Sequence, residues 1–183
     1  KPTNKLEIIY SDFSISLRNC NDKIEARNII KKLTNQLNEI YVSYQEFESE
    51  FINLTYTKKS NNPDNVITKY VVNKIASYYE GKDIFEDDGS IEHILPESND
   101  INNNNNIGNL ILLEQVLNGE ADCLEYIDKI TVYKKSSYKW IKEFVSSNTE
   151  WSDDKIQERS KKLSEFYYTK ILAKEISLNA LKR

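Results

Sequence analysis

Only two short stretches of this chain have the make-up of β-strands, and they lie close together near its middle. Ile91-Glu92-His93-Ile94-Leu95 is stopped by Pro96, which has no N–H to give to a ladder. Ile107-Gly108-Asn109-Leu110-Ile111-Leu112-Leu113 is the second apolar run. Elsewhere the apolar residues recur mainly every three or four positions, the mark of amphipathic helices. The expected fold class is therefore mostly α, of the α+β kind.

The helical pattern begins at Asp22, which forms a capping pair with Glu25, and runs through Ile24, Ile29, Ile30, Leu33, Leu37, Ile40, Tyr41 and Tyr44. It continues weakly over Phe47, Phe51 and Leu54 and dissolves in Thr57-Lys58-Lys59-Ser60-Asn61. A second helix is announced by Asn62 as N-cap, Pro63 at the first helical position and Asp64 in the first turn. Val66, Ile67, Tyr70, Val71, Ile75 and Tyr78 are its expected buried face, and Gly81 its left-handed stop. Residues 83–90 predict an acidic loop around the Asp88-Gly89 turn, and the asparagines 102–106 an exposed loop. Glu114 opens a further helix. Tyr133 to Val145 predicts another, with Trp140, Ile141 and Phe144 near one face. After Ser146-Ser147-Asn148, Ser152 caps a final helix expected to reach about Leu181, with Trp151 and Ile156 as a hydrophobic staple.

With 183 residues, 39% of them hydrophobic and 30% charged, the chain has the size of one ordinary domain, or of one domain with a helical extension. No apolar run approaches the ~20 residues of a membrane span, and no signal-peptide core opens the chain. Four glycines form no phosphate-binding loop, which excludes a nucleotide-hydrolysing engine in this segment. Cys20 and Cys123 lie far apart, so neither a disulfide framework nor a cysteine zinc site is expected, and a cytoplasmic location is. The lack of Met and the opening Lys1-Pro2 predict a piece of a longer protein. Charge is unevenly spread. Residues 1–128 carry 12 Lys/Arg against 22 Asp/Glu, and residues 129–183 carry 13 against 7. A basic C-terminal third suits either a solvated helical surface or contact with nucleic-acid phosphates.

His93 is the single histidine, flanked by Glu92 and followed three residues later by Pro96. Gly108-Asn109-Leu110 follows after a loop, and Asn118 nine residues past Asn109, inside a helical pattern. This order resembles an HNH, or ββα-metal (His-Me finger), nuclease. It is most similar to the C-terminal HNH domain of GmrSD-type modification-dependent restriction enzymes and the related SspE-like phage-defence proteins. That family carries I-E-H-I-x-P and I-G-N-L-x-L-L segments with an Asn soon after. Its Lys…Tyr…Ser stretch is matched by Lys129, Tyr133 and Ser136, and its W…I…R helix by Trp151, Ile156 and Arg159. The resemblance covers about residues 84–172. It implies a helical domain enclosing a small ββα-metal core, with residues 83–183 as the nuclease domain and residues 1–82 as a helical lead-in. It also implies a metal-dependent DNA endonuclease acting in anti-phage or modification-dependent restriction. DNA, often modified phage DNA, and an N-terminal sensor or NTPase domain of the same full-length protein are the implied partners.

The residue types suit that chemistry. A neutral imidazole takes a proton from water near neutral pH, the role for His93. Glu92 and Asn118 offer oxygen to a divalent metal, Mg²⁺ or Mn²⁺. Asn118 stands where many HNH sites have His, which favours such a hard ion. Adjacent strand residues point to opposite faces, so Glu92 and His93 share one site only where the strand twists or bulges, or where metal and water lie on different sides. Asn109 is either a catalytic residue or a brace of the ββ loop through backbone bonds. Lys129, Lys134, Lys135 and Arg159 are candidates for gripping DNA backbone, with Arg159 preferred for its forked guanidinium. His93→Ala and Asn118→Ala are expected to stop cleavage with little effect on stability. The rival reading is a non-catalytic DNA- or protein-binding module that keeps an HNH-like core.

Overall fold

The computed structural model describes residues 2–58, 62–82, 89–97 and 103–176. The chain divides into two compact units, Lys1–Ser43 and Tyr44–Arg183. The first is a pair of packed helices, α1 (Pro2–Arg18) and α2 (Lys23–Ile40). Asp22 Oδ1 accepts the N–H groups of Ile24 and Glu25 at 2.7 and 2.8 Å, and Glu25 accepts the N–H of Asn21 at 2.9 Å. These bonds meet donors that a first helical turn otherwise leaves without partners.

The second unit runs through α3 (Tyr44–Phe51), α4 (Asp64–Glu80), β1 (Gly89–His93), a 3₁₀ turn (Ile107–Asn109), β2 (Leu110–Glu114) and α5 (Gln115–Ala121). It ends with α6 (Tyr126–Tyr133), α7 (Lys139–Ser147), α8 (Asp153–Phe166) and a π-helical turn (Tyr167–Ile171). The expected domain border at 82/83 falls inside this unit, because α4 packs on β2 and α7, and α3 packs on α8. No helix among the described residues is long and apolar enough to cross a membrane.

β1 and β2 pair antiparallel from Gly89↔Glu114 to His93↔Leu110. Leu110 to Leu113 are all buried, since α4 and α7 pack on this strand and α5 packs on both strands. Burial on both faces explains the unbroken apolar run, where a half-exposed strand would alternate.

The structure departs from the sequence reading in several places, beginning with α4, which starts at Asp64 with Pro63, not Asn62, at its cap position and no side chain capping it. On α4 the buried residues are Thr68, Val71, Val72, Ile75, Ala76 and Ser77, whereas Val66 is 73% exposed and Ile67, Tyr70 and Tyr78 are also exposed. The stripe is rotated towards the smaller side chains that face the hairpin. The stretch 133–145 is not one helix: Tyr133 ends α6 and α7 begins at Lys139. Glu114 holds the turn between them, accepting from Ser136 Oγ at 2.8 Å and from Ser137 N and Oγ at 2.7 Å each. Burial alone would raise the Glu114 carboxyl, but these serine bonds hold it below the usual carboxylate value.

Asn103 to Asn106 are not an exposed loop. Asn103 bonds Asp153, Asn104 is buried, and Asn106 spans the Ile52 carbonyl and the Gly108 N–H. Helix α8 gives way to the π-helical turn after Phe166, short of the expected run to Leu181. Residues 83–88 of the expected acidic loop, Asn102, and residues 177–181 of that expected helix lie outside the described residues.

Gly108, in the 3₁₀ turn before β2, lies hard against α8: a Cβ there would collide with the Ile156 carbonyl. Gly119 on α5 has open space around it. Gly108→Ala should therefore destabilise by at least ~1–3 kcal/mol through overpacking. Gly119→Ala should be neutral or slightly stabilising, because alanine is the better helix former. Urea denaturation of both variants against the parent checks the contrast.

Candidate active site

His93 ends β1 and is 3% exposed. Its Nε2 lies 3.0 Å from the main-chain oxygen of Tyr56. A carbonyl only accepts, so Nε2 carries the proton and Nδ1 keeps the lone pair. Tyr56 is held where it can do this. Its N–H donates to Asn105 O at 2.9 Å, Ile107 N donates to Leu54 O at 2.8 Å, and Thr55 pairs with Asn106 in an isolated antiparallel bridge. Burial pushes the imidazole below its usual value of 6.5, only partly offset by the Tyr56 bond and the Glu97 charge. The ring is therefore neutral at pH 7.

Glu92 is buried beside it at 1% exposure and is paired with Lys129, itself fully buried, at 2.6 Å. The Tyr133 hydroxyl donates to the same oxygen, Oε1, at 3.0 Å. Lys129 Nζ also donates to the His93 carbonyl at 2.6 Å. One ammonium thus ties down the side chain of Glu92 and the main chain of His93. Burial pushes the Glu92 carboxyl up, and Lys129 and Tyr133 pull it part of the way back. Burial, with the neighbouring Glu92, raises the Tyr133 phenol well above its usual range, so it stays a donor.

Asn118, on α5, donates from Nδ2 to Ser90 Oγ at 2.8 Å and to Ile91 O at 3.0 Å. This turns its Oδ1 towards Lys58 Nζ, 3.3 Å away. Asn109 is spent on its surroundings. Its Oδ1 accepts from Leu95 N at 2.9 Å and Trp151 Nε1 at 3.1 Å, and its Nδ2 donates to Leu95 O at 2.9 Å and Asn104 O at 2.7 Å. A cavity of about 130 Å³ opens at His93, walled by Lys58, Glu92, Pro96, Glu97, Asp122 and Cys123.

A family model described as the C-terminal domain of GmrSD restriction endonucleases matches residues 41–166. The chain belongs to this family. No curated protein matches it.

In this GmrSD C-terminal domain, Glu92 and His93 wall one cavity although they are neighbours on a regularly paired strand. His93 is the last residue of β1, and the chain turns there, which brings both to the same space. Asn118 reaches the site through Lys58, whereas Asn109 braces the loop behind it. Two of the expected DNA-gripping residues are corrected by their surroundings. Lys129 is sealed in its ion pair and offers no ammonium to a backbone outside. Arg159 donates from Nη1 to Gly108 O and Leu110 O at 2.7 and 2.9 Å, and its guanidinium carbon lies 5.1 to 5.9 Å from the ring centres of Phe144, Trp140 and Trp151. Burial lowers it to about 10, so it remains a cation, committed to carbonyls and ring faces. Lys134 and Lys135 are exposed, the latter paired with Glu120 at 2.6 Å.

Sequence reasoning did not single out Lys58, Glu97, Asp122 or the Tyr56 carbonyl. Glu97 follows Pro96 just past β1, and Asp122 sits just past α5 with φ 26°, so helical spacing from Asn118 does not place it. Lys58 sits in an unpatterned polar stretch, and a main-chain oxygen leaves no trace in a sequence. The expected stability of Asn118→Ala also changes, because its amide ties α5 to β1 and its removal strands the buried Ile91 carbonyl.

Breaking a buried ion pair from one side leaves a charge without compensation. Lys129→Met should therefore cost ~3–5 kcal/mol, and adding Glu92→Leu should recover a large part of that loss. Urea denaturation of the two single variants and the double variant measures the coupling. Equal losses in Lys129→Met and in the double variant would count against it.

Proposed function

We propose that this domain is a metal-dependent DNA endonuclease with an HNH, ββα-metal core made of β1, β2 and α5, working as the effector of an anti-phage or modification-dependent restriction protein. The observation that carries the reading is the Tyr56 carbonyl on His93 Nε2, at 3.0 Å. It sets a neutral imidazole, basic at Nδ1, beside a small cavity with carboxylate walls. A proton acceptor of fixed tautomer, already desolvated, is what activating a water requires.

Among the described residues no group of three or more His, Cys, Asp or Glu is placed to hold a metal ion by itself. The donors at the site are hard oxygens. Asn118 presents Oδ1 on the Lys58 side, and both bonds to Glu92 land on Oε1, which leaves Oε2. Glu97 and Asp122 stand on the same wall. This set fits Mg²⁺ or Mn²⁺, ions that take few protein ligands and fill their shell with water and substrate oxygen. When bound, such an ion supplies polarisation of the phosphate and neutralises charge on the leaving oxygen.

The chain's own residues do the rest. His93 Nδ1 takes a proton from water as the water oxygen attacks phosphorus, and the bond from phosphorus to O3′ breaks. Nε2–H stays on the Tyr56 carbonyl, which stabilises the imidazolium as it forms. Lys129 keeps the His93 main chain from drifting, and Asn109 holds the loop after it.

A supercoiled-plasmid assay tests the reading, with the parent and His93→Ala each run in Mg²⁺, Mn²⁺ and EDTA. Nicking by the parent alone, lost in EDTA, is the expected result. A parent that binds DNA and never cuts it would support a binding module instead. The pH profile follows from His93. Only the unprotonated ring accepts a proton, and burial lowers its pKa below 6.5. Nicking should hold level from neutral pH down past 6.5 and fall only in more acid buffer, with an apparent pKa below that of an exposed histidine.

A further inference from the structure

We infer that Lys58 grips the backbone phosphate that enters the His93 cavity, so that the segment before α4 supplies both the base's tautomer and the cation for the substrate. The inference rests on the reading of this site as one that takes nucleic acid.

The walls of the cavity carry an excess of negative charge. Glu97 and Asp122 add two carboxylates, and Glu92 is already neutralised by Lys129 from behind. A phosphodiester is repelled from such a space unless a cation meets it there. Among the described residues that wall the cavity, Lys58 is the one that brings an ammonium. The residue is exposed, its Nζ contacts the neutral amide oxygen of Asn118 at 3.3 Å, and among the described residues it stands in no ion pair.

Its placement is built into the fold. The residue before it, Thr57, is clamped at both ends of its main chain by one side chain. Thr57 N donates to Asn65 Oδ1 at 3.1 Å, and Asn65 Nδ2 donates to Thr57 O at 2.9 Å. Thr57 Oγ1 also donates to Glu97, and Thr68 Oγ1 donates to Thr55 O at 2.7 Å. Three residues in a row, Thr55 to Thr57, are thus pinned between α4, the Asn103–Asn106 loop and the cavity, and Lys58 follows directly on them. A lysine on a surface loop pays a large entropy cost to hold one position. Here the main chain is already ordered, and only the end of the side chain has to settle on a phosphate oxygen.

The test measures binding and cleavage separately. Binding of the full chain to a short DNA duplex is followed by fluorescence anisotropy in EDTA, between about 50 and 200 mM salt. Lys58→Met should reduce the slope of log affinity against log salt by about 0.9, the loss of one phosphate contact. Lys58→Arg should keep the parent's slope. Lys170→Met, which removes an exposed charge on the π-helical turn, should also keep it. In Mg²⁺, Lys58→Met should slow plasmid nicking on the order of 10²-fold or more, with partial recovery in Lys58→Arg.

A slope equal to the parent's in Lys58→Met overturns the inference, as does an equal fall in Lys170→Met. Failure of the two readings looks different. A parent that never cuts, with the slope still lowered in Lys58→Met, removes the hydrolase and keeps the phosphate contact. A parent that cuts, with an unchanged slope, keeps the hydrolase and removes the contact. A parent that binds no duplex at any salt removes both.

Discussion

The ion pair between Glu92 and Lys129 is the constraint around which this domain is arranged. A carboxylate at 1% exposure in the middle of a strand is costly to desolvate, and the matching ammonium has no exposure at all. Such pairs are weak sources of net stability, since good apolar packing does as well. What this one supplies is position. A slip of one residue along β1 would send Glu92 to the other face and leave Lys129 buried against apolar side chains. The pair therefore selects a single register for the strand that ends in His93. The bond from Lys129 to the His93 carbonyl continues that control past the last rung of the ladder.

The residues downstream of the hairpin share one task, although they are scattered over three elements. Lys129 and Tyr133 on α6 bond Glu92, and Ser136 just beyond bonds Glu114 at the far end of β2. Trp151 bonds Asn109, Ile156 presses its main chain on Gly108, and Arg159 holds two carbonyls at the start of β2. A two-stranded hairpin has little stability of its own. Here it is held from both ends by polar bonds and from both faces by helices. The aromatic rings of Trp140, Phe144 and Trp151 lie around the half-buried Arg159 guanidinium, which meets ring faces and main-chain carbonyls and, among the described residues, no carboxylate.

The parts legible in the sequence are those that depend on local patterns. The two strands, the Asp22 and Ser152 caps, the Gly81 stop and the mostly helical class all follow from short-range spacing. His93, Glu92 and Asn118 are legible as candidates because their order resembles a family. What stayed hidden depends on tertiary context. The α4 face turns towards Val72 and Ala76 because packing on β2 and α7 selects the face, and hydropathy alone does not separate buried Val72 from exposed Val66. Arg159 and Lys129 look like surface cations, since nothing in their neighbours tells that a strand will bury them. The asparagines before Ile107 look like solvent-facing filler, yet their main chain pairs with Thr55 and Tyr56 as a sheet edge would, and the Asn106 amide bonds the Ile52 carbonyl.

The group that orients the His93 ring is a peptide oxygen, so it is written in no particular side chain. Any amino acid at position 56 presents the same acceptor, and a scan of side chains would pass over it. The ring is instead sensitive to the course of the chain between α3 and α4. Whatever pulls on that stretch draws the carbonyl away and frees the imidazole to adopt its other tautomer, with no side chain on β1 or β2 changed. Leu54 to Lys58 is in that sense a handle, through which force applied outside the hairpin reaches one proton within it.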